Sequence, residues 1–510
     1  MSHSDLPGRP ASVWLATAPE TDYEALTENR RVDTAVVGGG IAGLTTATLL
    51  AERGREVALL ECDRIGHGVT GHTTAKLTTQ HGLLYDALER NHDRRTARQY
   101  AAANLRAVEF VAERVADDGI DCRFERRPAY AFSDGADQTD RARREVEAAR
   151  RAGLPASLAE DVAVGSPDAA VRFDGQAQFD PQQYLLGLAS AFTAAGSHLF
   201  EGTRVRDVDG GPSCRVTTDQ GSVVADSVVV ATHFPMLDRA GYFARQYPKR
   251  SYVLAVRARD APTKGMYYRT GDSYLSARTA TVEGETLTLV GGQNHKTGQG
   301  GSTAARYRRL AALARDHFDV DSIEYRWSTQ DYVSVDKLPY VGRLGPFERN
   351  VYTATGFGGW GMSNGTAAGM MLADVLTDRP NQQVEAFDPL RATVRASAEE
   401  FASENANVAS RFAGGWAEKL SSSDRPLNPD EATVRRAGTD VVGVYRDEHG
   451  TDHLVDAVCP HMGCPLEWND GERTWDCPCH GSRFQPDGSV IDGPATEDLN
   501  YERPDRSDRD

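Results

Sequence analysis

The sequence predicts an α/β protein: a body built on a parallel sheet, a discontinuous α+β cap inserted into it, and a small all-β domain at the end. Three observations carry this. An apolar strand, a Gly-rich turn, a helix and a second apolar strand follow one another from Val32 to Glu61. Two long insertions, one helical and charged and the other strand-rich, interrupt the remainder of that pattern. Near the C-terminus, short alternating strands surround two boxes, Cys459-Pro460-His461-Met462-Gly463-Cys464 and Cys477-Pro478-Cys479-His480-Gly481-Ser482.

Composition bounds the reading. At 510 residues the chain has room for several domains, and 40% hydrophobic with 26% charged residues is ordinary for a globular protein. A net charge of −17, with no basic patch, argues against nucleic acid or an anionic membrane as partner. The apolar runs Val32 to Leu50 and Met362 to Leu376 carry Gly, Thr and polar residues, so no membrane span is expected. The start lacks a basic segment followed by an apolar core, and Cys62, Cys122 and Cys214 are scattered singly. Both features suit a cytoplasmic protein. Residues 1–30 read as a polar tail with one apolar patch, Val13-Trp14-Leu15, packed on the body.

The first element is the strand Val32 to Val37, followed by Gly38-Gly39-Gly40-Ile41-Ala42-Gly43 and a helix to Arg53. In this G-x-G-x-x-G, Gly38 permits the tight turn, Gly40 lets a pyrophosphate approach the backbone, and Gly43 lets helix pack on sheet. The N–H groups at Ile41 and Ala42 open the helix and favour phosphate there. The second strand ends on Glu61, placed to accept from ribose hydroxyls. This is a Rossmann-type dinucleotide site.

The loop Arg64 to Lys76 is rich in Gly and Thr, where an NAD-only domain would pass straight to its next βαβ unit. It resembles the flavin-contacting segment of the D-amino-acid oxidase and sarcosine oxidase superfamily. So do Gln178-Phe179-Asp180-Pro181, Thr203-Arg204-Val205, Ser227 to Thr232, Asp336 to Gly342 and Gly356-Phe357-Gly358-Gly359-Trp360-Gly361-Met362. The resemblance implies FAD, with Thr70, His72 and Thr73 at the flavin and Val205 at the adenine. Gly356, Gly359, Gly361 and Met362 would then aim a helix N-terminus at the flavin edge that gains negative charge on reduction. Residues 30–95, 171–244 and 335–385 are expected to form the FAD domain, and 96–170 with 245–334 the substrate cap. Residues 386–426 read as a helical arm and linker, and 427–510 as the all-β domain.

Each box offers a thiolate and an imidazole with a further Cys beside them. Two Cys on one iron and two His on the other is the ligand set of one kind of [2Fe–2S] centre. Zinc is the alternative, but zinc sites usually present C-x₂₋₄-C pairs, whereas these boxes read C-x-H and C-x-C-H. The boxes resemble the two loops of Rieske proteins. That resemblance implies Cys459 and Cys477 on one iron, His461 and His480 on the other, and a disulfide between Cys464 and Cys479. Gly493-Pro494-Ala495 would cover the cluster, and Ser482 would donate to a cluster sulfur. Phe484 stands where respiratory members often carry Tyr, which implies a lower potential than theirs.

A flavin takes two electrons at once and such a cluster passes one, so their fusion suggests oxidation at FAD followed by export to a one-electron carrier protein. By the resemblance, the substrate would be an amine or amino acid. The candidate active-site residues are His72, His295, Lys296 and Trp360. His72 lies in a segment similar to one in which related enzymes attach flavin covalently, and Lys76 reads as a helix cap. A redox relay or sensor without small-molecule turnover, and a reductive enzyme fed through the cluster, are the competing readings.

Overall fold

The computed structural model describes residues 6–500 apart from 134, 136, 166, 238, 272–273, 392–393, 421–425 and 438–439. The linker expected at Ser421 to Arg425 and the tail from Arg503 therefore lie outside the described residues. The chain divides into two bodies. The larger comprises Pro7–Asn294 and Arg309–Glu400, and the smaller gathers His295–Arg308 with Phe401–Asp510.

The larger body is organised by an eight-stranded sheet. Arg30–Val37 pairs in parallel with Val57–Leu60 on one side and Ser222–Val230 on the other. His198–Phe200 extends the parallel set beyond Val57–Leu60, and Val351–Thr355 pairs in parallel with Ser222–Val230. An antiparallel meander, Val205–Asp209 and Cys214–Thr218, completes one edge. Arg30–Val37 is Val-rich and buried without interruption from Thr34 to Val37, as expected of a parallel strand covered on both faces.

Two helices run against this sheet, Ile41–Glu52 and Gly361–Leu376. Their contact is made by glycine. A Cβ added at Gly365 would lie 2.7 Å from Ile41 Cγ2, and one at Gly369 would lie 2.6 Å from Thr45 Cβ. No larger residue fits at this spacing, so the axes approach closely and the two helix starts come together.

The second sheet has nine strands. Its long members are Val320–Ser334, Gln246–Ala258, Glu285–Lys296 and Leu275–Val282, and Met266–Thr270 joins them to Ala129–Ser133, Ala170–Phe173 and Ala156–Ala159. The last three come from a segment expected to be mainly helical. The helices there are Arg94–Asp117 and Gln138–Arg151. The second exposes Arg143, Arg144, Glu147 and Arg150 on one face and buries Glu145, 1% exposed, on the other. Its carboxylate accepts the N–H groups of Leu84, Tyr85 and Asp86, capping a neighbouring helix, and burial pushes its pKa up to about 7. The N-terminal patch packs on the body as expected: Val13 and Trp14 are 0% and 1% exposed.

The smaller body holds a three-stranded sheet, Glu431–Ala437, Asp440–Arg446 and Asp452–Asp456. A four-stranded sheet follows: Glu467–Asn469, Thr474–Asp476, Arg483–Phe484 and Val490–Asp492. Trp475 is fully buried against Trp468 in its core. Residues 295–308 belong to this body through Asp470, whose carboxylate accepts from Thr303 N at 2.8 Å and Ala304 N at 3.0 Å, capping the helix Thr303–His317.

The glycine contact is open to a direct test. Gly369→Val forces the two helices apart, and overpacking of this kind costs about 1–3 kcal/mol. A thermal melt should show a lowered midpoint, with weaker FAD retention in the folded fraction.

Candidate functional site

The first centre begins where Arg30–Val37 ends. Gly38 has φ +108°, and a Cβ there would lie 2.5 Å from the Ala231 carbonyl oxygen. A Cβ at Gly43 would lie 1.9 Å from the Gly38 carbonyl oxygen, and one at Gly40 would crowd Thr70 Oγ1 at 3.1 Å. Thr70 Oγ1 accepts from Ile41 N at 3.2 Å, at the helix start. The Glu61 carboxylate accepts from Gly39 N at 2.7 Å and Asp63 N at 2.9 Å. Backbone laid bare by three glycines, a helix N-terminus and a carboxylate at the end of the second strand together fit a dinucleotide. Val205 lies buried in the meander of the same sheet.

The loop from Gly66 to Ala75 is pinned from outside. Gly71, His72, Thr73 and Thr74 each give their carbonyl to a side chain: Ser12, Trp327, Trp14 and Arg278 in turn. His72 is half-buried at the end of the short turn Val69–His72, with its Nδ1 2.8 Å from the Gly68 carbonyl.

The closing motif forms the other side. Gly356, Gly358 and Gly359 have φ of +78°, +63° and +90°, conformations that disfavour other residues, and they lead into Gly361–Leu376. Met362 is buried and Trp360 half-buried. Both helix N-termini therefore border one site, each bringing a positive dipole end to it.

Trp360 stacks on His81 at 4.8 Å and meets Tyr268 at 4.9 Å, which in turn meets Tyr274 at 5.3 Å. Tyr268 and Tyr274 retain some exposure, yet desolvation raises both phenols well above their usual range. Both rings are thus crowded by protein but still reachable. Lys76 Nζ lies 5.9 Å from the Tyr268 ring and Lys249 Nζ 5.9 Å from the Tyr274 ring. Two of the chain's six lysines thus meet on one aromatic wall.

Lys76 does not cap a helix. It sits in the strand Lys76–Leu77, 7% exposed, and donates to the Tyr267 carbonyl at 3.0 Å and to Ser276 Oγ. Burial, then the nearby Arg278 charge, lowers its pKa to about 7. Burial lowers Lys249 as well, against the pull of Asp331. His81 is 5% exposed, and burial drives it down to about 3, so it is neutral. Its Nε2 faces the Thr78 carbonyl at 2.7 Å and must carry the proton, leaving Nδ1 to accept from Tyr100 Oη at 2.5 Å. Ser363, in the first turn after Gly361, lies 2.9 Å from the same Nε2. The sequence reading missed His81, Tyr268, Tyr274 and Lys249; the position of His81 shortly after the flavin-like loop was the available signal.

His295 and Lys296 belong to the smaller body. His295 Nδ1 is 2.7 Å from the Gln299 carbonyl, and Lys296 pairs with Glu404.

The second centre is two turns of the same design. Cys459 N donates to the Cys464 carbonyl and Gly463 N to the Cys459 carbonyl, both at 2.9 Å. Cys477 N donates to the Ser482 carbonyl at 2.8 Å and Gly481 N to the Cys477 carbonyl at 3.1 Å. Cys464 and Cys479 form a disulfide joining the turns, with Cα atoms 6.5 Å apart. Although Cys477 lies near both disulfide sulfurs, these two cannot offer thiolates, which leaves Cys459 and Cys477 as the thiol pair. Both are 1% exposed, and hydrogen bonds from Cys477 and then Ser482 help hold the Cys459 thiol down to about 6. His461 and His480 face each other with ring centroids 5.1 Å apart. Two thiols and two imidazoles converging in a desolvated pocket fit a mixed-ligand [2Fe–2S] cluster. Ser482, 0% exposed, accepts from Ala495 N at 3.0 Å, next to the cis Gly493–Pro494 bond. Residues 298–299 back this loop: Gln299 Nε2 donates to the Pro478 carbonyl at 2.9 Å.

Comparison with known proteins agrees with both centres. The FAD dependent oxidoreductase family model matches residues 33–375, and the Rieske [2Fe-2S] domain model matches 415–501. A putative Rieske 2Fe-2S iron-sulfur protein, YhfW of Bacillus subtilis (strain 168), is 37% identical over 494 residues, covering 96% of this chain and 97% of its own. Gamma-glutamylputrescine oxidoreductase of Escherichia coli (strain K12) is 24% identical over 400 residues, covering 72% and 88%. The crystal structure of glycine oxidase from Geobacillus kaustophilus superposes with a TM-score of 0.59 at 21% identity, covering 71% of this chain and 99% of that one, a likeness of fold. Among the described residues no helix is long and apolar enough to cross a membrane. The chain belongs to the FAD-dependent oxidoreductase family and carries a C-terminal Rieske [2Fe–2S] domain.

Proposed function

We propose that the chain oxidises an amine or amino acid at its C–N bond and exports the electrons singly to a carrier protein, in the cytoplasm. The observation that carries this reading is one chain holding both a two-electron and a one-electron centre. Gamma-glutamylputrescine oxidoreductase, similar over the FAD region, is named for an amine. Bound FAD supplies a two-electron acceptor, and the cluster, held by Cys459, Cys477, His461 and His480, supplies single-electron transfer.

The aromatic wall defines what the residues do. Trp360, Tyr268 and Tyr274 present apolar ring faces to the carbon skeleton of the substrate, and the cations beside them favour its amine in the neutral form that oxidation requires. His81, neutral and bonded on both nitrogens, fixes the Trp360 ring from behind. Going from CH–NH to C=N removes two electrons and two protons; both electrons and one proton leave to bound FAD, the other proton is left for a group of the site, and water then hydrolyses the imine. Neutral Lys76 is the group on this wall able to take a proton. His72 lies on the loop that seats the flavin.

Three outcomes test this. Under anaerobic conditions an amine panel should bleach the flavin, with the reduced-cluster signal appearing afterwards. Cys477→Ala should abolish the second signal and leave the first. No bleaching by any amine would favour the relay reading instead. Because the Lys76 pKa is lowered, its ammonium dominates below pH 7 and its amine above. Flavin reduction should accordingly rise through an ionisation near pH 7, and Lys76→Met should remove that limb and slow reduction roughly 100-fold or more. At the cluster, Ser482→Ala should lower the midpoint potential and Phe484→Tyr should raise it. The former deletes and the latter adds a donor that stabilises negative charge on reduction; a spectroscopic redox titration reads both.

A further inference from the structure

Four successive carbonyls, from Gly71 to Thr74, are each held by a side chain from a distant part of the chain. Ser12 and Trp14 come from the N-terminal segment, Trp327 from Val320–Ser334, and Arg278 from Leu275–Val282. Both indole N–H bonds are 2.8 Å long. In a trans peptide the N–H opposes the C=O, and the only cis bond among the described residues is Gly493–Pro494. The Thr73 and Thr74 N–H groups therefore point away from Trp327 and Trp14. Immediately after, Ala75 holds φ +53°, a left-handed conformation unusual for a residue with a side chain, and donates to Thr73 Oγ1 at 3.0 Å.

Arg278 is the exceptional anchor. It is 2% exposed and lies over the Trp14 ring at 5.1 Å. Its hydrogen bonds go to carbonyl oxygens alone: Thr74, Thr279 at 3.1 Å and Phe179 at 3.1 Å. Buried, and with three of its five N–H donors given to these carbonyls, it does not present its fork to a substrate carboxylate. Burial lowers its pKa to about 9, while Asp180 and Glu125 oppose that fall through space, so the charge persists at neutral pH. A buried cation without a bonded carboxylate projects its field over several ångströms in a medium that screens weakly. Donation into a carbonyl also strengthens the N–H of the same peptide as a donor. The Trp14 bond acts in this way on the Thr74 N–H, whereas the peptide that Arg278 holds has its N–H, that of Ala75, already given to Thr73 Oγ1.

We propose that Arg278 and Trp14 are positioning residues for FAD: Trp14 turns and polarises the Thr73–Thr74 peptide that faces the flavin, Arg278 fixes the end of that segment at the Thr74 carbonyl, and the Arg278 charge raises the flavin potential. The proposal rests on FAD occupying the loop from Gly66 to Ala75 and is independent of which substrate is oxidised. N-terminal residues 12–14 thereby become part of the flavin site.

The test is flavin affinity and midpoint potential in the purified full-length holoprotein, with no substrate present. Arg278→Gln should lower the flavin midpoint so that the reduced-to-oxidised ratio at fixed potential falls about tenfold, about 30 mV for a two-electron couple. Arg278→Lys, which keeps the charge and loses the fork, should retain the midpoint while binding FAD more weakly. Trp14→Phe, which removes one N–H, should raise the FAD dissociation constant about tenfold. Equal midpoint shifts in the Gln and Lys variants, or none in the Gln variant, would overturn the charge role. If Arg278→Gln does not fold, the Lys variant decides that role, since a lowered midpoint there contradicts it. Unchanged FAD affinity in Trp14→Phe overturns the positioning role.

Discussion

Two helices begin at one place because two glycines allow it. Ile41–Glu52 and Gly361–Leu376 are separated by more than 300 residues, yet they touch at Gly365 and Gly369 with no space for a Cβ. Each helix is anchored to its own strand of the parallel sheet, Arg30–Val37 and Val351–Thr355. Their contact thus fixes the distance between the turn at Gly38 to Gly43 and the turn at Gly356 to Gly361. The first fits a dinucleotide phosphate and the second opens a helix, so the spacing of these two Gly-rich turns is set by a packing distance between helices. Everything else in the larger body is arranged around that fixed span.

The second sheet completes the site by covering it. Tyr268 and Tyr274 flank the end of one hairpin of that sheet, and Lys249 comes from a long central strand. Lys76 comes from the loop side and is bonded to the sheet at Tyr267 and Ser276. A wall assembled from elements this distant in sequence is rigid only if each part is held by its backbone neighbours, and it is. The cluster site follows the opposite logic: each of its turns is closed by two hydrogen bonds within six residues, and one disulfide ties the two together.

That difference explains what the sequence could show. Ligands within a turn must be close in sequence, so the two boxes and the disulfide pair were legible from spacing and resemblance together. The Rossmann turn was legible for the same reason, since strand, glycines and helix are contiguous. His81, Tyr268, Tyr274, Lys249 and Arg278 are brought together by sheet pairing across the insertions, and nothing in their local sequence announces it. Burial was the other hidden quantity. Glu145 sits in a helix rich in Arg and Glu, and only the tertiary cap it makes on Leu84, Tyr85 and Asp86 shows why it is inside. Lys76 reads in the sequence as a helix cap, and only its strand pairing shows it buried beside Tyr268.

Charge unites these points. The chain carries −17 overall, but the side of the larger body that bears the two Gly-rich turns gathers positive elements: two helix N-termini, Lys76, Lys249 and the buried Arg278. Such a concentration favours any state of the site that is more negative, which for a flavin is the reduced one. The same field disfavours a second cation, and it helps push Lys76 toward its neutral form. A site that stabilises negative charge on the electron acceptor and simultaneously frees an amine to take a proton serves both halves of an amine oxidation. One buried arginine, held by three carbonyls and hydrogen-bonded to no carboxylate, contributes to both.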